Sequence, residues 1–421
     1  MRTKRTTPDQ ILAAALGQAG LRRTQQAYLR LLLTLWLVLP GRHNFTNLAR
    51  YGPTSDRSHR TWARKPVPWV QLNSTLVLQA QDQQTLHLGG ILGVDAVFIP
   101  KYGNHTPDLA SYWSGCQGRS VRGLEGTCVT WIDPMSHQPV PLSVTQTPTA
   151  LPAGQSRVDF YATVTLNTIA QLPDQLKKQV QAVVGDAYYT KLKFVARVVD
   201  EGQLPFVGKM RKDANLKHLF TGPRTGKPGR PRLYDGKVSL HDYARWDALP
   251  WADECMVYTV VAYSAGLKRL VRVVAVVWPG SRKTEVLNST SITMTAATIV
   301  ALYRARFSME FPFRDAKRPS VLMGAVLVKK QFAGLSGCQS RQVEALHFHW
   351  NMALMAVSTA RLSQLSDQRA SPLVFSMEDE KRRSYNEFFA ARILSILAQE
   401  QSGQKCEDLL ADLLLLGVKA A

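Results

Sequence analysis

Four side chains between Tyr303 and Lys317 have the types and spacing to handle a phosphodiester. They are Tyr303, Arg306, Glu310 and Lys317, in the pattern Y-x2-R-x3-E-x6-K. On a continuous helix, at about 100° per residue, they fall within an arc of roughly 60°. A solvated face would scatter both signs of charge around the cylinder, and a core-facing stripe would be apolar. A carboxylate, two cations and a phenol on one face suit a metal-bound phosphodiester, with the carboxylate on the metal and the other three on phosphate oxygens. The face requires a helix. Thr295 is placed to cap one beginning near Ala296. Pro312 lies inside it, removes a backbone donor and opposes the carbonyl of Ser308, so a kink is expected that threatens the alignment of Lys317 with Glu310.

Two further acids are placed to join Glu310. Asp95 is the one charge in the apolar run Ile91–Ile99. A charge within a buried strand costs several kcal/mol unless compensated, and a divalent cation compensates it. The plainer reading puts Asp95 on solvent at a sheet edge. Asp186 closes the run Val183-Val-Gly-Asp, and its plainer reading is a helix N-cap. Three acids on a first strand, a later strand end and a distant helix are the set with which a ribonuclease H-like fold holds two divalent cations about 4 Å apart for in-line phosphodiester chemistry. Oxygen donors favour Mg2+ over zinc.

The elements that must carry these acids are legible as runs and periods. Strands are predicted at 91–99, 121–132, 140–144, 182–185 and 205–210, and helices at 159–180 and 188–200. This order predicts an α/β fold with a mixed central sheet. The run 211–231 is rich in Gly, Pro and cations and is expected to be irregular. Strand patterns return at 256–264, 270–278 and 284–287, which marks 212–290 as a β-rich insertion. Helices are predicted at 325–365 and 376–418. Residues 8–40 read as two helices, and Asn44–Gly52 as the short helix of a helix-turn-helix, with Asn44 or Thr46 as its cap. The expected organisation is a helical DNA-binding region at 1–80, a catalytic core at 81–211 and 291–365 interrupted by the insertion, and a helical region at 366–421.

Charge points to the same kind of substrate. The 421 residues carry 52 Lys and Arg against 31 Asp and Glu, a net charge of +21. Such a surplus favours a polyanion, most often nucleic acid. It is uneven: residues 1–70 hold twelve cations against Asp9 and Asp56 alone, and a second basic cluster runs from Lys209 to Arg232. The five cysteines are widely spaced and include no C-x2-C pair, which argues against a disulfide framework or a zinc site and for a reducing compartment. No secretory leader is legible, and the apolar runs 31–39 and 409–416 are short of a membrane span. A cytoplasmic chain without membrane contact is expected. His347 and His349 are two apart, about 200° around a helix, and so are not read as a shared metal site.

The set resembles the bacterial insertion-sequence DDE transposases that carry the YREK signature (the IS-four family), over roughly residues 40–365. The resemblance rests on Asp95 in Gly93-Val-Asp-Ala-Val-Phe-Ile-Pro-Lys101, Asp186 in Gly-Asp-Ala-Tyr-Tyr189, and the full Tyr303/Arg306/Glu310/Lys317 spacing. The stretches Phe332–Arg341 and His347-Phe-His-Trp-Asn351 add to it. Phe307 stands where many relatives have Trp. The resemblance implies a ribonuclease H-like fold in which Asp95, Asp186 and Glu310 are the catalytic, metal-holding triad, while Tyr303, Arg306 and Lys317 grip DNA phosphates. It implies two Mg2+ ions, with Mn2+ as a substitute. The implied partners are double-stranded DNA, as transposon ends and target, and a second copy of the chain on paired ends near the bacterial nucleoid. Relatives cut and paste, the better-known ones through a hairpin, with an insertion-domain aromatic holding a flipped base; Trp246 and Trp251 are the residues available for that here. The rival readings are a nuclease that cleaves without joining and a transposase-derived DNA-binding regulator without catalysis.

Overall fold

In the computed structural model, residues 6–114, 118–223, 231–250, 255–278, 280, 284–317, 333–366 and 375–400 are described. The chain opens with five helices, α1 (Pro8–Gln18), α2 (Arg23–Val38), α3 (Phe45–Tyr51), α4 (Asp56–Trp62) and α5 (Trp69–Asp82). Strands β1 (Gly90–Pro100), β2 (Ala110–Ser114), β3 (Arg119–Asp133) and β4 (Gln138–Gln146) follow. Next come α6 (Arg157–Gln171), α7 (Asp174–Lys177), β5 (Val180–Gly185), α8 (Leu192–Ala196) with a π-helical turn (Arg197–Glu201), and β6 (Phe206–Lys209). Six strands then run from β7 (Leu216–Leu219) through β8 (Tyr234–Lys237), β9 (Asp247–Pro250), β10 (Met256–Ser264) and β11 (Arg269–Val277) to β12 (Thr284–Ser289). The last helices are α9 (Ala296–Arg306), α10 (Glu310–Lys317), α11 (Val343–Leu365) and α12 (Met377–Glu400), with a 3-10 turn, Phe307–Met309, between α9 and α10.

All twelve strands belong to one sheet. Its heart is the order β4-β3-β1-β5-β6. The pairs β1–β3 and β3–β4 are antiparallel, and β1–β5 and β5–β6 are parallel. This is the mixed α/β sheet expected of a ribonuclease H-like fold. The parallel pairs are the ones joined through helices, because a crossover needs a dozen or more residues. The strands expected as an insertion extend the same sheet: β12 runs antiparallel to β6, β11 and β10 follow, and β7, β8 and β9 finish that end.

Alternation along β1 sets the site. Ile91 packs into the core that receives Ile299, Val300, Leu302 and Met309 from α9 and the 3-10 turn, whereas Leu92 and Val94 join the other apolar cluster. Side chains two apart share a face, so Ile91, Gly93 and Asp95 look toward α9. The edge of β4 is closed by α11. The Asn351 side chain accepts from Val144 N at 3.0 Å and donates to Val144 O at 2.9 Å, and Gln146 N donates to His347 Nε2 at 2.9 Å. These contacts cover backbone groups that an open sheet edge would leave unpaired. His349 is buried, with Nε2 2.7 Å from Gly334 O. Both histidines serve packing.

Three expectations are corrected. Of the helix expected at 325–365, residues 325–332 lie outside the described residues, residues 333–342 are irregular, with Gly334 at φ +64°, a left-handed conformation that stops a helix, and α11 covers the rest from Val343. The helix expected at 188–200 starts only at Leu192, capped by Lys191, so Asp186 is not its N-cap. In place of a kink at Pro312 the helix tightens to a 3-10 turn that ends three residues earlier, and Pro312 sits in the first turn of α10, where the missing N–H has no helical partner to lose. Trp36 Nε1 donates to Ala333 O at 2.8 Å, and the apolar faces of α1 and α2 share one core with α11. No helix among the described residues is long and apolar enough to cross a membrane.

Candidate active site

The last parallel pair of β1 and β5 is Gly93 with Val184. Continuing that register two places sets Asp95 beside Asp186, on neighbouring strands about 4.8 Å apart. The two acids therefore meet at the carboxyl ends of adjacent parallel strands, where open α/β sheets present ligands. Asp95 lies on β1 with its side chain 25% exposed. Asp186 stands just past β5, with Tyr188 N donating to its Oδ1 at 2.8 Å, which leaves Oδ2 for the site.

Helix α9 brings the third group. Thr295 caps it, its hydroxyl accepting from Thr298 N at 3.2 Å, and its buried face lies on β5, β6, β11 and β12. Its last residue is Arg306, whose side chain is only 7% exposed. Nη2 of Arg306 is 3.9 Å from Asp95 Oδ2 and 4.0 Å from Asp186 Oδ2. Nε and Nη1 are buried without a hydrogen-bond partner. A guanidinium so placed has donors to spare for an anionic ligand. Tyr303 is buried one turn earlier and packs edge-on to Phe307, ring centroids 5.7 Å apart. Burial first, against the pull of Arg306, pushes its phenol up to about 12, so it stays protonated and can donate.

The 3-10 turn then drops onto β1 and starts α10 at Glu310, which is exposed. Gly93 makes room for it. A Cβ there would lie 2.3 Å from Met309 Sδ and 2.8 Å from Ile132 Cδ1. A glycine inside a strand signals close approach of another element, and Gly93 is the residue from which this contact is legible. Burial pushes the Asp95 carboxyl up to about 6; Arg306 opposes the shift, and Asp186 and Glu310 add repulsion. The structure thus brings Asp95, Asp186, Glu310, Arg306 and Tyr303 into one electrostatic neighbourhood. Lys317 closes α10, and its side chain lies outside the described residues.

As a donor set, three carboxylates whose mutual repulsion is already felt by Asp95 fit a hard divalent cation. Their present spacing is looser than a closed ligand set. Among the described residues no group of three His, Cys, Asp or Glu is arranged to hold a metal ion, and Arg306 supplies the counter-charge instead. Trp246 is buried, edge-on to Tyr243 with ring centroids 5.4 Å apart, so it is not an exposed wedge; Trp251 lies outside the described residues. Two exposed aromatics flank the acids, Tyr188, with Lys191 Nζ 3.7 Å from its ring centroid, and Phe307, with Arg306 Cζ 5.4 Å from its ring centroid.

Residues 12–268, more than half of the chain, match the family described as DDE superfamily endonuclease. The chain belongs to the DDE superfamily endonucleases. The matched stretch contains Asp95 and Asp186 and ends before Glu310. Membership implies a DNA substrate, and nucleases of this superfamily generally use divalent metal ions. No curated protein shows significant similarity to the chain.

Proposed function

We propose that this DDE endonuclease is a DNA transposase of the YREK-signature type, which binds the terminal inverted repeats of its element and cuts and rejoins strands. The observation that carries this reading is the placement of Arg306 against both Asp95 and Asp186, with Glu310 close enough to disturb Asp95. Asp95, Asp186 and Glu310 would hold Mg2+, or Mn2+ in its place. When bound, such ions would supply Lewis acidity toward the attacking and leaving oxygens.

The chain's own groups supply the rest. Arg306 would meet the scissile phosphate through Nη2, the nitrogen nearest both carboxylates, and relieves the repulsion between the two aspartates while no ligand is bound. Tyr303, kept protonated, donates rather than accepts. Lys317 would add a further phosphate contact, and a second copy of the chain would hold the paired end.

The direct experiment incubates the protein and Mg2+ with DNA carrying the ends that flank its gene. Metal-dependent cutting at those ends and joining to target DNA support the transposase. Cutting without joining assigns a nuclease. Binding without cutting assigns a DNA-binding regulator.

A further inference from the structure

A cleft of about 500 Å3 opens where β1 leaves the sheet, between the segment Pro100–Thr106 and residues 336–341, with Arg42 on its rim. Past Gln339 and Arg341 it continues into a shallower groove that reaches α3 and α4 at Phe45, Arg60 and Arg64. The described lining contains no carboxylate. Arg42, Arg64 and Arg341 are exposed, and among the described residues none of their side chains is paired with an acid. Tyr102, 87% exposed, adds an aromatic at the rim.

The floor is built rather than incidental. Lys101 Nζ donates to Cys338 O at 2.5 Å and Ser340 O at 2.9 Å, tying the exit of β1 to the far wall. Burial pulls that ammonium below its ordinary range, so its charge lies partly within the wall rather than in solvent. Asp95 and Pro100 are five residues apart on one strand, about 17 Å. A duplex advances about 3.4 Å per base pair, so the cleft lies roughly five base pairs from the acids.

We propose that this cleft and groove bind the backbone phosphates of duplex DNA, in continuity with the DNA held at the acids. The inference rests on the endonuclease reading and adds to it a second, non-catalytic contact surface that joins α3 and α4 to the site. Arg60 in this track is paired with Asp56 at 3.2 Å, but Arg42, Arg64 and Arg341 keep their charge free, and three exposed arginines with an exposed aromatic suit a phosphate backbone and make binding salt-dependent.

The test is fluorescence anisotropy of a labelled 30-base-pair duplex carrying an end of the element, titrated at several salt concentrations. Three proteins are compared: the parent, the triple variant Arg42→Ala/Arg64→Ala/Arg341→Ala, and Lys178→Ala at the opposite end of β5. The triple variant should bind about 10- to 100-fold more weakly, with a salt slope smaller by about 3. Lys178→Ala should match the parent. All three arginines are exposed, so the triple variant should keep the parent's thermal midpoint. Parent affinity and slope in a folded triple variant, beside a parent that binds and cuts, would overturn the cleft and leave the endonuclease reading standing. A parent that binds but does not cut would count against catalysis, while the slope still tests the cleft. A parent that binds no duplex at low salt would overturn both.

Discussion

Gly93 and Met309 meet in the one gap on β1 that admits the turn carrying Glu310: a Cβ on the glycine would stand 2.3 Å from the methionine sulfur. The contact sets how closely the third acid approaches the first. The Met309 and Ile132 atoms nearest to that Cβ are ends of side chains, so alanine is accommodated by their movement. Gly93→Ala should therefore cost about 1 kcal/mol of stability, at the low end of overpacking. Cleavage should fall much further, up to about 100-fold, because misplacement by about 1 Å is expensive at a reacting centre. Thermal unfolding and single-turnover cleavage, measured together, check this. Equal, small losses in both would show that Met309 does not position Glu310.

The raised carboxyl of Asp95 makes a pH prediction for the metal-free protein. Its value goes from 3.8 to about 6 on folding, so the folded state binds the proton more tightly than the unfolded one. The stability this provides is complete below about pH 4 and is lost as pH rises through about 6. Two units correspond to about 3 kcal/mol. Asp95→Asn should remove that limb and be the more stable protein at pH 8. Denaturation midpoints across pH 4–8 in chelator measure it, and a parent whose stability does not fall over that range would contradict the assignment. Added Mg2+ should then raise the parent's melting temperature at pH 8 and leave Asp95→Asn where it was.

Arg306 gives a third test. Arg306→Lys keeps one positive charge near Asp95 and Asp186 but gives up the planar fork whose Nε and Nη1 are unpartnered. Folding should survive, with cleavage reduced at least about 10-fold, the worth of roughly one charge-assisted hydrogen bond. Arg306→Met removes the counter-charge and should also destabilise the metal-free protein, since two carboxylates then face each other alone. An Arg306→Lys protein that cuts as fast as the parent would place the phosphate elsewhere.

Much of this site was legible because its carriers are locally encoded. The apolar runs around Asp95 and Asp186 mark β1 and β5, and Thr295 marks the start of α9. The break at Phe307–Met309 was only half legible. Pro312 announces a defect, but its position depends on the turn packing onto Gly93, a contact about 215 residues away in sequence that no local pattern records. The same holds for the N-terminal helices. Their periodicity is plain, yet the bond from Trp36 to Ala333 that seats them on the core is long-range. α5 was missed because Asn73, Ser74 and Thr75, polar and buried, interrupt its apolar stripe; Asn73 spends its amide on Leu142 O at 2.9 Å. β2 pairs only with the first residues of β3, and its short run Ala110–Ser114 carries no period to read.

The measurement closest to the central claim is Mg2+-dependent cleavage by Glu310→Gln beside the parent, with DNA binding measured on the same samples. Glu310 is the exposed member of the three acids, stands outside the stretch matched to the family, and fills no structural space that glutamine cannot. The variant should fold and still bind the element's ends while cleavage drops to background. Cleavage by the variant at the parent's rate would show that Glu310 is not the third carboxylate.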